Sequence, residues 1–98
     1  MMNKISQQKT YSELKKLIAQ KKGRRYREIV ANQELCGKFL GFTSAGLKSF
    51  TVDLKDTFGV YGIKLSMDEV KKAKKVRDLA KLIWTSIPED NKKRKSER

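Results

Sequence analysis

Apolar side chains recur at spacings of three and four residues in three segments of this 98-residue chain. The clearest segment contains Leu47, Phe50, Leu54 and Phe58. Such spacing places side chains along one stripe of an α-helix. Similar patterns occur within residues 11–18 and 70–83. A chain of this length is too short for two independent cores. The pattern therefore predicts one mostly helical domain.

Terminal signals indicate where the first helix begins and ends. Thr10 and Glu13 have the spacing of a capping box, in which a hydroxyl group and an acid satisfy the first N–H groups. Gly23 is a typical residue at a helix end. These signals predict a helix over residues 10–22. The more polar residues 24–42 are expected to form a long loop that contains a short helical turn.

The remaining helices are less sharply bounded by the sequence. Thr43 and Ser44 both precede the stripe of the second helix, and either could cap it. Ser66 begins a second capping box. The segment 67–85 then fits either one helix or two helices separated near Lys74. The pattern does not distinguish between these alternatives.

The two ends of the chain lack this periodicity. Residues 1–9 are polar and are expected to form a flexible lead. Pro88 follows the last apolar stripe, and a highly charged sequence comes after it. Residues 87–98 are therefore expected to form a disordered basic tail. The folded domain is expected to span residues 10–86.

The charge balance implies an anionic partner. The chain has 24 Lys and Arg residues against 11 Asp and Glu residues, a formal net charge of +13. Such an excess favours nucleic acid, an anionic membrane surface or an acidic protein. The cations expected to contact this partner are Lys21, Lys22, Arg24, Arg25, Arg27, Lys71, Lys72, Lys74 and Lys75. Because no recognition motif accompanies them, any nucleic-acid binding is expected to be largely independent of sequence.

The residue types that are rare or absent limit the kinds of catalysis and metal binding that the chain can support. The chain has no histidine, which removes the commonest general base and the commonest zinc ligand. We therefore expect neither an enzyme nor a metal site. Cys36 is the only cysteine, which indicates a reducing compartment, the cytoplasm. Cys36 is expected to be a small core residue, and Trp84 is expected to close the end of the core. Neither a signal peptide nor a transmembrane segment is expected.

Several motifs carry a resemblance to a known family. The run Leu-Gly-Phe-Thr-Ser occupies residues 40–44, and Phe58 lies fourteen residues after Ser44. The sequence YGIKLSMDEVKKAKKVRDLAKLI follows at residues 61–83. Together with the helix order, these motifs resemble the acyl and peptidyl carrier proteins, which have a Leu-Gly-x-Asp-Ser run and a last helix of the type Val-x-Asp-Leu-x-x-Leu-Ile. The resemblance covers residues 10–84.

The resemblance implies a four-helix bundle with a long loop between the first two helices. It also implies a phosphopantetheine arm on Ser44, which would carry acyl groups to synthase or acyl-transferring enzymes, as in fatty acid or polyketide biosynthesis. Leu47, Phe50 and Ile63 would border the acyl chain. A phosphodiester on Ser44 would lie at a helix N-terminus, where free N–H groups and the helix dipole favour an anion.

The sequence also departs from the family pattern. Thr43 replaces the aspartate that usually precedes the modified serine, and Ala45 replaces the leucine that follows it. Lys48 and Lys55 lie alongside Asp53 and Asp56 on the second helix, which is usually acidic in carriers. An alternative hypothesis is therefore a carrier-like bundle without the arm, in which Ser44 is only a helix cap. Such a protein would bind nucleic acid or an acidic protein through the basic clusters. The sequence does not indicate an oligomeric state.

Overall fold

The computed structural model of the protein describes residues 4–93. This part of the chain contains four α-helices and two very short strands, joined by loops and three 3-10 turns. The helices are α1 (Gln7–Lys22), α2 (Ser44–Phe58), α3 (Met67–Lys72) and α4 (Val76–Ser86), and the strands are β1 (Ile5–Ser6) and β2 (Lys92–Lys93). The prediction of a mostly helical domain is confirmed.

Helix α1 begins earlier than its sequence predicts. Ser6 is the N-cap, and its hydroxyl oxygen accepts a hydrogen bond from the Lys9 N–H at 3.0 Å. Thr10 is instead buried within the helix, and its hydroxyl donates to the Ser6 carbonyl at 2.9 Å. The predicted capping box at Thr10 is therefore wrong. The predicted end is confirmed, because Gly23 adopts a left-handed conformation with φ of 64°.

The two ends of the described chain lie side by side. Strands β1 and β2 pair in parallel, with Ile5 opposite Lys92 and Ser6 opposite Lys93. Ile5 and Ile87 are both 2% exposed and belong to the hydrophobic core. Single apolar residues in polar surroundings give no periodic signal, yet each of these two side chains fills a place in the core.

The pairing of the strands changes the domain boundaries. Residues 1–9 were expected to be a flexible lead, but residues 4–9 form β1 and the start of α1. Residues 87–98 were expected to be a disordered tail, but residues 87–93 contain a core side chain, a 3-10 turn and β2. Residues 1–3 and 94–98 lie outside the described residues. The domain therefore extends beyond residues 10–86 at both ends.

The segment 67–85 forms two helices rather than one. Ser66 and Glu69 make the predicted capping box at the start of α3. The chain then becomes extended at Ala73, with ψ of 127°, and at Lys75, with ψ of 162°. The Lys75 N–H donates to the Asp78 carboxylate at 3.1 Å, which fixes the start of α4.

The loop between α1 and α2 explains why the break occurs. The Leu35 N–H donates to the Lys74 carbonyl at 2.8 Å, and the Val76 N–H donates to the Gln33 carbonyl at 3.0 Å. These bonds form a short antiparallel contact between the loop and the α3–α4 junction. The loop thus provides hydrogen-bond partners for backbone groups that a continuous helix would have satisfied internally.

The hydrophobic core draws on every helix and on the long loop. Phe50 and Phe58 of α2 are its largest fully buried side chains. The loop contributes four buried apolar residues, Ile29, Leu35, Leu40 and Phe42. Cys36 is exposed, so the expectation of a core cysteine is wrong. Among residues 4–93, no helix has the length and apolar character that crossing a bilayer requires.

Candidate attachment site at the start of helix α2

Thr43, rather than Ser44, caps helix α2. Thr43 has extended backbone angles, φ of −104° and ψ of 171°, and its hydroxyl oxygen accepts a hydrogen bond from the Gly46 N–H at 3.0 Å. The Thr43 carbonyl accepts the first helical hydrogen bond, from the Leu47 N–H at 2.8 Å. Ser44 is therefore the first residue inside the helix, and the hypothesis that Ser44 is a plain cap is wrong.

The Ser44 side chain is exposed to solvent. Within the described chain, its hydroxyl makes no hydrogen bond to another residue. The first N–H groups of a helix have no carbonyl from a preceding turn to bind, and the positive end of the helix dipole lies there. An anion attached to Ser44 would therefore find a favourable local field.

The charges near this helix end also suit an anion. The first turn of α2 contains no acidic residue, and the exposed Lys48 follows Ser44 by four residues, about one helical turn. Lys22 donates to the Gly41 carbonyl at 3.4 Å, and its ammonium group lies 4.2 Å from the centre of the Phe42 ring. These contacts hold a second cation against the backbone that enters α2.

The residues expected to border an acyl chain have two different environments. Leu47 is 2% exposed and Phe50 is fully buried, with its ring 5.2 Å from that of Phe42. Ile63 is half-buried and lines an open groove of about 480 Å³ together with Leu65. Leu47 and Phe50 do not line this groove. They are packed core residues here, whereas Ile63 is accessible.

We name the cations at the end of α1 and in the following turn the first cluster; they are Lys21, Lys22, Arg24, Arg25 and Arg27. Three of these residues use their side chains to contact other parts of the described chain. Lys21 lies 3.5 Å from the Asp53 carboxylate, and Arg24 donates to the Phe39 carbonyl at 3.1 Å. Lys22 makes the contacts described above. These side chains thus join α1 to α2 and to the loop, while Arg25 and Arg27 are exposed.

The second cluster lies at the junction of α3 and α4 and consists of Lys71, Lys72, Lys74 and Lys75. The first three residues are exposed, and Lys75 is half-buried. The loop between α1 and α2 contacts both clusters, because the Phe39 carbonyl accepts from Arg24 and the Leu35 N–H donates to the Lys74 carbonyl. One loop thus contacts a member of each cluster.

A groove between α1 and α4 is lined by residues that lie far apart in the sequence. Tyr11, Ala80 and Trp84 line it, and its volume is about 710 Å³. The Lys15 ammonium lies 5.0 Å from the centre of the Tyr11 ring. Burial, and secondarily the nearby Tyr26, raise the pKa of Tyr11 above its ordinary value of 10.0. In the sequence, Tyr11 and Trp84 are aromatic residues near opposite ends of the domain, and no motif links them to a common groove.

The possible metal ligands of residues 4–93 are Cys, Asp and Glu side chains. No three Cys, Asp or Glu side chains there lie together as a metal-binding group, and the sequence contains no histidine.

Comparison with known proteins gives no match: no protein-family model fits the sequence, and no curated protein is significantly similar to it.

Proposed function

We propose that this chain is an atypical carrier protein that bears a phosphopantetheine arm on Ser44. The observation that carries the proposal is the division of roles at the start of α2. Thr43 caps the helix through Gly46, and Ser44 is left exposed with a hydroxyl group that the fold does not use. An attached phosphate would gain the favourable field of a helix N-terminus at no cost to capping.

The arrangement of helices supports the same proposal. The chain has a 16-residue α1, a long loop, a 15-residue α2, a six-residue α3 and an 11-residue α4. This is the order expected of the carrier bundle that residues 40–83 resemble. Ser44 begins the second helix in that order, where carriers have their modified serine.

The role proposed for the chain is transport rather than catalysis. The arm would carry an acyl group as a thioester, and partner enzymes in the cytoplasm would perform the chemistry, as in fatty acid or polyketide biosynthesis. The exposed face of α2 contains Lys48, Lys55 and Asp56 beside Val52, which is 58% exposed. Partner enzymes should therefore present a small apolar contact, with acidic side chains opposite the two lysines and a basic side chain opposite Asp56.

Mass spectrometry tests the attachment. The chain is co-expressed with a phosphopantetheinyl transferase of broad specificity, and the intact mass of the purified protein is measured. We expect one added arm on the wild-type chain and on Ser49→Ala, a control that removes another exposed serine of α2. We expect no arm on Ser44→Ala. An unmodified wild type, or a modified Ser44→Ala, would contradict the proposal.

A second candidate function rests on cations that the fold leaves free. Arg25, Arg27, Lys71, Lys72 and Lys74 are exposed, and none of them forms an ion pair within residues 4–93. A carrier-like bundle without the arm could use them to bind nucleic acid or an acidic protein. Binding to a nonspecific DNA duplex should then weaken steeply as salt is raised, because released counterions drive such binding. Absence of binding at low salt would eliminate nucleic acid.

A further inference from the structure

The groove between α1 and α4, which we call the α1–α4 groove, combines an apolar lining with cations. Tyr11 comes from α1, Ala31 from the loop, and Ala80 and Trp84 from α4. All four side chains are partly exposed. The two alanines are small and leave room in the groove for inserted side chains, and a volume of about 710 Å³ suffices for several of them.

The charges that line the groove are all of one sign. Arg77 and Lys81 line it, and no acidic residue does. Arg77 donates to the Asn32 side chain at 3.1 Å, which fixes its guanidinium group against the loop. The neighbouring acid on α4, Asp78, already accepts the hydrogen bond from the Lys75 N–H. The groove is therefore complementary to carboxylates placed around an apolar anchor.

The aromatic rings do not offer free stacking platforms. Lys15 lies between two rings, 5.0 Å from the centre of Tyr11 and 4.6 Å from that of Tyr26. Lys92 lies 5.1 Å from the centre of the Trp84 ring. Because an ammonium group occupies one side of each ring, continuous stacking of nucleic-acid bases is disfavoured. The remaining apolar surface better suits aliphatic side chains.

We propose that the α1–α4 groove binds an acidic amphipathic helix of a partner protein. Apolar side chains on one face of that helix would rest on Ala31 and Ala80, between Tyr11 and Trp84. Carboxylates beside them would pair with Arg77 and Lys81. This is recognition of a helix in a groove, with anchors at helical spacing. It does not depend on modification of Ser44.

Intrinsic fluorescence gives a direct readout, because Trp84 is the only tryptophan of the chain. The probe is a synthetic peptide with leucines at helical spacing on one face and glutamates on the other. We expect a saturable change in Trp84 emission whose affinity falls as salt is raised. No saturable change at low salt would overturn the proposal.

Three variants locate the site. Lys81→Glu should weaken peptide binding about fivefold, since an exposed charge pair contributes on the order of 1 kcal/mol and here becomes repulsive. Ala80→Glu places a carboxylate on the floor of the groove and should abolish binding. Lys38→Glu makes the same charge change at an exposed position of the loop before α2, outside the groove, and should bind like the wild type. Circular dichroism confirms that each variant is folded.

The comparison also separates other ligands from the proposed one. Unchanged binding to Lys81→Glu would place the peptide elsewhere and overturn the proposal. A single-stranded oligothymidine that binds in a Lys81-dependent manner, while the peptide does not bind, would assign the groove to nucleic acid instead.

Discussion

The hydroxyl oxygen of Thr43 lies 3.0 Å from the backbone nitrogen of Gly46 and accepts its hydrogen bond. This bond satisfies a free N–H group of α2 and fixes where the helix begins. It also determines the environment of Ser44, which becomes the first helical residue and points its unused hydroxyl toward solvent. Two adjacent hydroxyl residues thus have different tasks.

The capping role of Thr43 can be tested by paired substitutions. Thr43→Ala should lower the free energy of unfolding by about 1 kcal/mol, the usual value of an N-cap. Ser44→Ala should change it by less than about 0.5 kcal/mol, because the Ser44 side chain makes no contact that the fold needs. Urea denaturation measures both. The reverse order of effects would identify Ser44 as the cap.

The burial of Ile5 predicts that the chain start is part of the domain. Ile5 is 2% exposed and lies opposite Lys92 in the parallel strand pair. Ile5→Ala should therefore cost about 2–5 kcal/mol of stability, the range for removing a buried Ile side chain. Thermal unfolding monitored by circular dichroism would measure the loss. A flexible lead would tolerate the substitution without a change in melting temperature.

The core position of Phe50 predicts a large difference between two neighbouring substitutions on α2. Phe50 is fully buried, whereas Val52 is 58% exposed. Phe50→Ala should cost about 3–5 kcal/mol, because it removes buried surface and leaves a cavity. Val52→Ala should stay within about 0.5 kcal/mol of the wild type. Similar, small losses for both variants would indicate that Phe50 borders an open acyl site rather than the packed core.

The ion pairs of Glu13 predict a pH-dependent contribution to stability. Glu13 lies 3.0 Å from Lys9 and 3.6 Å from Lys16. The hydrogen bond from Lys9 lowers the pKa of Glu13 below its ordinary value of 4.5, despite the opposing effect of partial burial. A carboxyl whose pKa is lower in the folded state stabilises the fold above its unfolded pKa. That contribution is lost as pH falls through the folded pKa.

Glu13→Gln removes this contribution. The variant should therefore be less stable than the wild type at neutral pH, and the two proteins should become equally stable in acid below the folded pKa of Glu13. Urea denaturation at a series of pH values measures the difference. A difference that does not shrink in acid would contradict an electrostatic origin.

The parts of the fold that the sequence predicted depend on local patterns. The stripe from Leu47 to Phe58 produced α2, because regular spacing is sufficient to place apolar side chains on one helix face. The capping box at Ser66 and the stop at Gly23 were predicted from the residue types at the two helix ends. Local chemistry fixes these features without help from distant residues.

The features that the sequence missed or left open depend on long-range contacts. The break before α4 is fixed by the loop, whose Gln33 carbonyl accepts from the Val76 N–H. The place of Ile5 in the core depends on a strand at the other end of the chain. The α1–α4 groove requires Tyr11 of α1 and Trp84 of α4 to line one space between the two helices. At the candidate site, the sequence predicted Ser44 as the attachment residue. It did not distinguish Thr43 from Ser44 as the helix cap, because both have hydroxyl groups and only the backbone angles separate them.

The most direct test of the central claim locates the modified residue by peptide mass spectrometry. Wild-type protein and Thr43→Asp are each purified after co-expression with a phosphopantetheinyl transferase. Aspartate also caps helices, so Thr43→Asp should keep the fold while restoring the Asp-Ser pair of the resembled family. The account predicts that the arm is found on Ser44 in both proteins, at equal or higher occupancy in Thr43→Asp. Absence of the arm from Ser44 of the folded wild-type protein would contradict it, whatever the occupancy in Thr43→Asp.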